Sequence, residues 1–121
     1  MAVALGTDNK LYYVAPSSKR YKDIDRKLTD ADIAKAYDIN TYRAKYKDGI
    51  LDKDDQMNGV YMPMLIAEEV AEAVPEAAII RDGKVEDWNH RVLIPVMFQM
   101  LKSQKKEIEK LRSLINQNGI A

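Results

Sequence analysis

The sequence contains no cysteine and one histidine. The first absence excludes a disulfide framework and a thiolate zinc site. The second leaves only His90 for a histidine–acid–nucleophile triad, and no partner for it is evident; near a helix start it reads as a surface or capping residue. Long apolar runs are missing too. None approaches the roughly 18 residues a membrane helix needs, and Met1-Ala2-Val3-Ala4-Leu5 is too short and too uncharged for a signal peptide. Lys plus Arg equals Asp plus Glu at 19 each, so there is no excess charge to drive non-specific nucleic-acid binding. Without a phosphate-binding glycine loop or a metal-ligand cluster, nothing points to a conventional enzyme acting on external substrates, and no cofactor or metal is expected. Acids at Asp52, Asp54 and Asp55 suggest calcium, but an EF-hand loop starting at Asp52 needs glycine where Met57 stands and a bidentate acid where Pro63 stands. Residues 52–58 therefore read as a solvated loop.

What is present fits one domain of 121 residues, 46% hydrophobic and 31% charged, able to bury a modest core. Two short apolar runs, 2–5 and 11–14, flank the turn-rich Gly6-Thr7-Asp8-Asn9-Lys10. They predict a hairpin, or the last strands of an upstream β-rich body, ending at Pro16, which lacks a ladder N–H. Next comes Ser17-Ser18-Lys19-Arg20-Tyr21-Lys22. A serine becomes a nucleophile only beside a base, and a lysine is a base only when neutral, a state that burial favours. Locally, the stretch also reads as a solvated basic turn.

Further on, Thr29-Asp30-Ala31-Asp32 is a variant capping box opening a short helix with Ile33, Ala36 and Tyr37 on one face. Tyr42, Ala44 and Tyr46 alternate with cations, as in a half-buried strand. Val60 to Leu65 is extended, with Pro63 at an edge or bend. Ile66 to Val74 is a helix closed by Pro75, with Ile66, Val70, Ala73 and Val74 inward. Residues 78–85 form a hairpin around Asp82-Gly83, and Asn89 caps the last helix. Trp88 and the tyrosines, including Tyr12, Tyr13, Tyr42 and Tyr46 on strand-like segments, read as packing residues.

The last helix spans about 90–116, with Pro95 in its early turns where the cost is least. Ile94, Met97, Leu101, Gln104, Ile108, Leu111 and Ile115 step by 3, 4, 3, 4, 3 and 4. That is an a/d seam with one polar layer at Gln104. Glu107 at g and Arg112 at the next e suit pairing between chains. The same pattern also fits an amphipathic helix packed on its own domain. Over 103–112, however, the only apolar residues lie on the seam, too thin a stripe for a lone domain to bury. The expected fold class is α+β: small β-hairpins and short helices with a long C-terminal coiled-coil helix.

Three blocks stand in order: Ser17-Ser18-Lys19-Arg20-Tyr21-Lys22-Asp23-Ile24; Ile66-Ala67-Glu68-Glu69-Val70 with Pro75-Glu76; and Val85-Glu86-Asp87-Trp88 leading to Leu93-Ile94-Pro95 and the heptads. Together they resemble the C-terminal intramolecular chaperone domain of phage tail fibres, tailspikes, neck appendages and endosialidases, the self-cleaving type, over roughly residues 17–115. The resemblance implies a homotrimer; from the balanced charge and the short apolar runs, no nucleic-acid or membrane partner is expected. Residues 1–16 would end an upstream β-fibre segment, and 17–121 would be the chaperone that assists the fibre into a triple β-helix in the host cytoplasm during virion assembly. It implies a serine–lysine dyad of Ser17 and Lys22, cutting between Pro16 and Ser17. Arg20 matches the pattern's arginine, Glu69 matches the acid of the helix block, and Ser18 is a second available hydroxyl. The family often has Gly-Phe where Met64-Leu65 stands here, and tyrosine in place of Trp88. Two competing readings keep the same helices: a chaperone or trimerisation module that never cleaves, and a dimeric coiled-coil interaction module.

Overall fold

The computed structural model describes residues 2–5, 11–14 and 16–119. Among them the chain forms three separate two-stranded antiparallel sheets, short 3-10 segments and two α-helices, an α+β arrangement. Strands β1 (Ala2–Leu5) and β2 (Leu11–Val14) pair in the register Ala2–Val14 to Leu5–Leu11, the hairpin expected from the two apolar runs. The turn at residues 6–10 lies outside the described residues.

A single 3-10 turn, Lys19–Tyr21, follows Pro16. Residues 22–28 then run as an extended, exposed strap. Among the described residues no backbone N–H of 23–28 donates a hydrogen bond. The strap ends at the predicted capping box. The Thr29 N–H and hydroxyl both donate to Asp32 Oδ2 (2.8 and 2.9 Å), and the Asp32 N–H reaches back to Thr29 Oγ1 at 3.4 Å. The helix it opens, Ala31–Asp38, is a 3-10 helix throughout. Its three-residue period changes which side chains share a face. Ile33 and Ala36 are buried, whereas Tyr37, expected beside them, is 45% exposed and donates its hydroxyl to the Met100 carbonyl at 3.0 Å.

Strand β3 is shorter than expected, Tyr42–Ala44, and pairs with β4 (Met62–Met64), with Arg43 opposite Pro63. In a two-stranded sheet each strand has a free edge, which tolerates a proline. Tyr46 lies beyond the strand. Helix α1 (Ala67–Ala73) presents Val70 and, at its C-cap, Val74 to the core, while Ile66 stays 37% exposed at the N-cap. Glu68 and Glu69 in its first turn complement the helix dipole. Pro75 stops it and starts a 3-10 turn that buries Ala77 completely. Strands β5 (Ala78–Arg81) and β6 (Lys84–Trp88) form the expected hairpin, with Asp82 at φ 52 and Gly83 at φ 73, the paired left-handed conformation of a type I′ turn.

Helix α2 (His90–Gln117) is capped by Asn89, whose side chain accepts the Arg91 N–H at 2.9 Å. Pro95 is accommodated without a break; the amide it lacks would have met the Arg91 carbonyl. Gly119, at φ 68, closes the far end, its N–H donating to the Asn116 carbonyl at 3.2 Å.

The core is small: Ile33, Ala36, Val70, Val74, Ala77, Leu93 and Val96, with Trp88, Val92 and Met100 partly buried around it. It packs against only the first three turns or so of α2. From Gln104 to Gly119 every residue is exposed. The whole chain exposes 10614 Å², whereas a compact monomer of its 13.8 kDa exposes about 6,600 Å². This chain alone therefore leaves much more surface uncovered than a self-contained globule does.

Candidate functional site

The chain after Pro16 closes a single 3-10 turn over Lys19–Tyr21. The Tyr21 N–H donates to the Ser18 carbonyl at 3.0 Å, and the Lys22 N–H to the Lys19 carbonyl at 3.1 Å. This folds the Lys22 side chain back along the preceding residues, and its Nζ donates to Ser17 Oγ at 2.8 Å. Pro16 is half-buried, and residues 17–29 are exposed. Among the described residues, the serine and lysine singled out from the sequence thus contact one another directly. Chemically, an amine on a hydroxyl can deprotonate it for attack on an adjacent carbonyl, provided the amine is neutral.

The other candidates are placed elsewhere. Ser18 makes no side-chain capping bond. Arg20 stacks over the Tyr21 ring at 4.6 Å to its centroid, an orientation set by cation–π attraction. Glu69, matched by the resemblance to the acid of the helix block, binds the start of β3. Its Oε1 accepts the Asn40 N–H (3.3 Å) and side-chain amide (3.2 Å), and its Oε2 accepts the Tyr42 hydroxyl. The Tyr42 hydroxyl and then the Asn40 donors hold the Glu69 carboxyl below the usual carboxylate range, while the Tyr42 phenol is raised by the same bond. Glu69 therefore ties α1 to β3, and no group of 16–22 is among its hydrogen-bond partners.

Three ties that the sequence did not announce fasten the strap to the body. The Arg26 guanidinium grips Asp32 with two bonds, 2.6 and 2.9 Å. That bidentate pair, then the Thr29 N–H and hydroxyl, holds the Asp32 carboxyl far below its ordinary range, and Arg26 is raised in turn. Asp30 bridges to α2: Gln99 Nε2 donates to its Oδ1 at 2.7 Å, and Lys106 Nζ reaches its Oδ2 at 3.5 Å. Gln99 and Lys106 are one heptad apart, on the side of α2 away from the seam. The capping pattern made Asp32 legible as a cap. Its pairing with Arg26, and contacts spanning 69 and 76 residues, carry no local signal.

The seam residues form one outward face. Ile94, Met97, Leu101, Ile108, Leu111 and Ile115 are between 41% and 63% exposed, and Gln104 is exposed among them. Leu93 and Val96 face the core instead. Phe98, the only phenylalanine, is 62% exposed at the edge of the seam. Beside it lies an open groove of about 500 Å³ whose lining includes Leu28 of the strap and Ile94, Pro95 and Phe98 of α2.

Among the described residues no group of three or more His, Cys, Asp or Glu is arranged to hold a metal ion, and no helix is long and apolar enough to cross a membrane. Compared with family models, curated proteins and solved structures, the chain matches none.

Proposed function

We propose that this chain is a C-terminal intramolecular chaperone that associates as a homotrimer through the α2 seam, assists an upstream β-fibre segment to fold in the host cytoplasm, and then releases itself by cutting between Pro16 and Ser17. The observation that carries the reading is the 2.8 Å hydrogen bond between Lys22 Nζ and Ser17 Oγ, at the foot of the β1–β2 segment. The outward heptad face and the excess exposed surface support the assembly part. Interwoven β structure has high contact order and exposed edges while folding. Chains that associate first through attached helices raise one another's local concentration and set their register.

In the cut, neutral Lys22 takes the Ser17 hydroxyl proton and Oγ adds to the Pro16 carbonyl carbon. The Pro16–Ser17 C–N bond then breaks as Lys22 returns the proton to the departing nitrogen. This leaves an ester on Ser17 Oγ and a free Ser17 amine. Water hydrolyses the ester to the Pro16 carboxylate and the Ser17 hydroxyl. In the single chain both side chains face solvent, and Lys22 Nζ is the donor in its bond to Ser17 Oγ. Burial by neighbouring chains would favour the neutral amine, so cleavage should follow assembly. Loss of the chaperone would then make fibre folding kinetically irreversible.

The exposure of Ser17 and Lys22 is also what a plain solvated turn has, and it favours a second reading in which the module assembles but never cuts. Intact mass under denaturing conditions, on the chain expressed with its upstream segment, separates the two. Fragments meeting at Pro16/Ser17, absent from Ser17→Ala, are expected. A single full-length mass removes the peptidase from the reading, and unchanged fragments from Ser17→Ala move the cut to Ser18.

A further inference from the structure

We propose that the groove between Leu28 and Phe98 is the place where a second copy of this chain grips the strap that leads to Ser17 and Lys22, so that assembly braces the anchor of the site it activates. The inference rests on the self-association through α2 proposed above.

Four observations converge on it. The strap is held at one end only. Arg26, Thr29 and Asp30 are fastened to Asp32, Gln99 and Lys106, whereas no backbone N–H of 23–28 is bonded among the described residues. Leu28, 42% exposed, sits where the strap crosses α2, and it lines grooves on both sides of the crossing. On the inner side that groove runs to the core residues Ile33 and Val96. On the outer side it is walled by Ile94 and Phe98, the first residue of the seam and its flanking aromatic. A helix laid along that face from Ile94 to Ile115 therefore ends beside the groove that Ile94 and Phe98 share with Leu28.

The occupant that fits is another copy of α2. The groove is continuous with a heptad face whose Glu107 and Arg112 are placed for pairing between like helices. That face is exposed along its length, from Ile94 to Ile115, the surface a second like helix would cover. With the groove open, the strap and the turn it leads to keep their freedom. With it closed, Leu28 and Phe98 are shielded and the anchor at Arg26–Asp30, from which residues 23–25 lead back to Lys22, is braced.

The test is hydroxyl-radical footprinting of the full chain carrying Ser17→Ala, which stays uncut. The comparison is with the same chain also carrying Ile108→Asp, which breaks the seam away from the groove. Solution mass is measured for both. Oxidation of Leu28 and Phe98 is expected to fall severalfold in the assembled chain relative to the Ile108→Asp chain. In a cleavage-competent chain, Leu28→Ser should slow cutting about tenfold at matched assembled fraction, the effect of losing an edge contact of an interface. An assembled chain in which Leu28 and Phe98 oxidise as fast as in the dissociated one overturns this inference and leaves the proposed function standing. A chain that stays monomeric at every concentration overturns both.

Discussion

The two halves of α2 obey different rules. From His90 to Ser103 the helix has two apolar faces. One, with Leu93 and Val96, closes the core, and the other, with Ile94, Met97, Phe98 and Leu101, looks outward. From Gln104 to Gln117 every residue is exposed, with one apolar stripe and, among the described residues, a single tie to the body from Lys106 to Asp30. Intrinsic propensity alone makes a short solvated helix marginal in water. The Lys105–Glu109 pair at 4.0 Å adds little, being exposed and in the less favourable order for a helix. The first half is thus stabilised by packing within the chain, and the second gains almost none of that packing. The comparison teaches that exposure means something different in each half. On the body an exposed Ile94 is one face of a two-faced element, whereas on the projection Ile108, Leu111, Leu114 and Ile115 are the large apolar side chains and all of them are exposed.

The sharpest way to break this comparison is Val70→Asp. It puts an unpaired carboxylate at a position that is 0% exposed and is expected to unfold the body outright, with the near-ultraviolet circular dichroism of Trp88 lost. Leu93→Ala should cost about 2–5 kcal/mol in chemical denaturation, the usual range for a buried leucine. Its counterpart on the projection, Ile108→Ala, should leave the unfolding midpoint of a dilute, dissociated chain unchanged while weakening self-association by sedimentation. Equal effects of the two substitutions on the dissociated chain would contradict the division of α2.

Acid should act on the body's ties before its core. The Asp32 and Glu69 carboxyls are both held below their ordinary values. The stability they add is complete above the unfolded value of about 4 and is lost as pH falls from there through the folded values. Asp32→Asn should flatten the acid side of the stability–pH curve, and Glu69→Gln should do so less. The raised Tyr42 phenol works in the opposite sense: its contribution is complete below about pH 10 and fades as pH rises through the folded value. Thermal melts across the pH range read all three. The smallest expected effect is that of Ser17→Ala on the melting of the dissociated chain, within about 0.5 kcal/mol for an exposed side chain.

Much of this was legible because it is local. The Thr29–Asp32 cap, the Asp82-Gly83 turn, the Asn89 cap and the outward heptad each depend on residues close in sequence, and all are found where their patterns put them. Where the reading failed, a tertiary choice intervened. Residues 31–38 wind as a 3-10 helix, so Tyr37 turns out to α2 rather than into the core. Glu69, grouped with the serine by resemblance, is taken up by Asn40 and Tyr42. Ile66, expected inward, stops at the N-cap.

By itself, the sequence determined that Ser17 and Lys22 stand one short turn apart and that α2 carries an apolar stripe interrupted only at Gln104, because turn chemistry and helical period act over a few residues. Only the tertiary structure decided which face of α2 the body takes, where the strap is fastened, and that Phe98 and Leu28 flank an open groove. Those outcomes depend on Asp30 meeting Gln99 and Lys106, and contacts between residues that far apart are set by how the elements pack against one another.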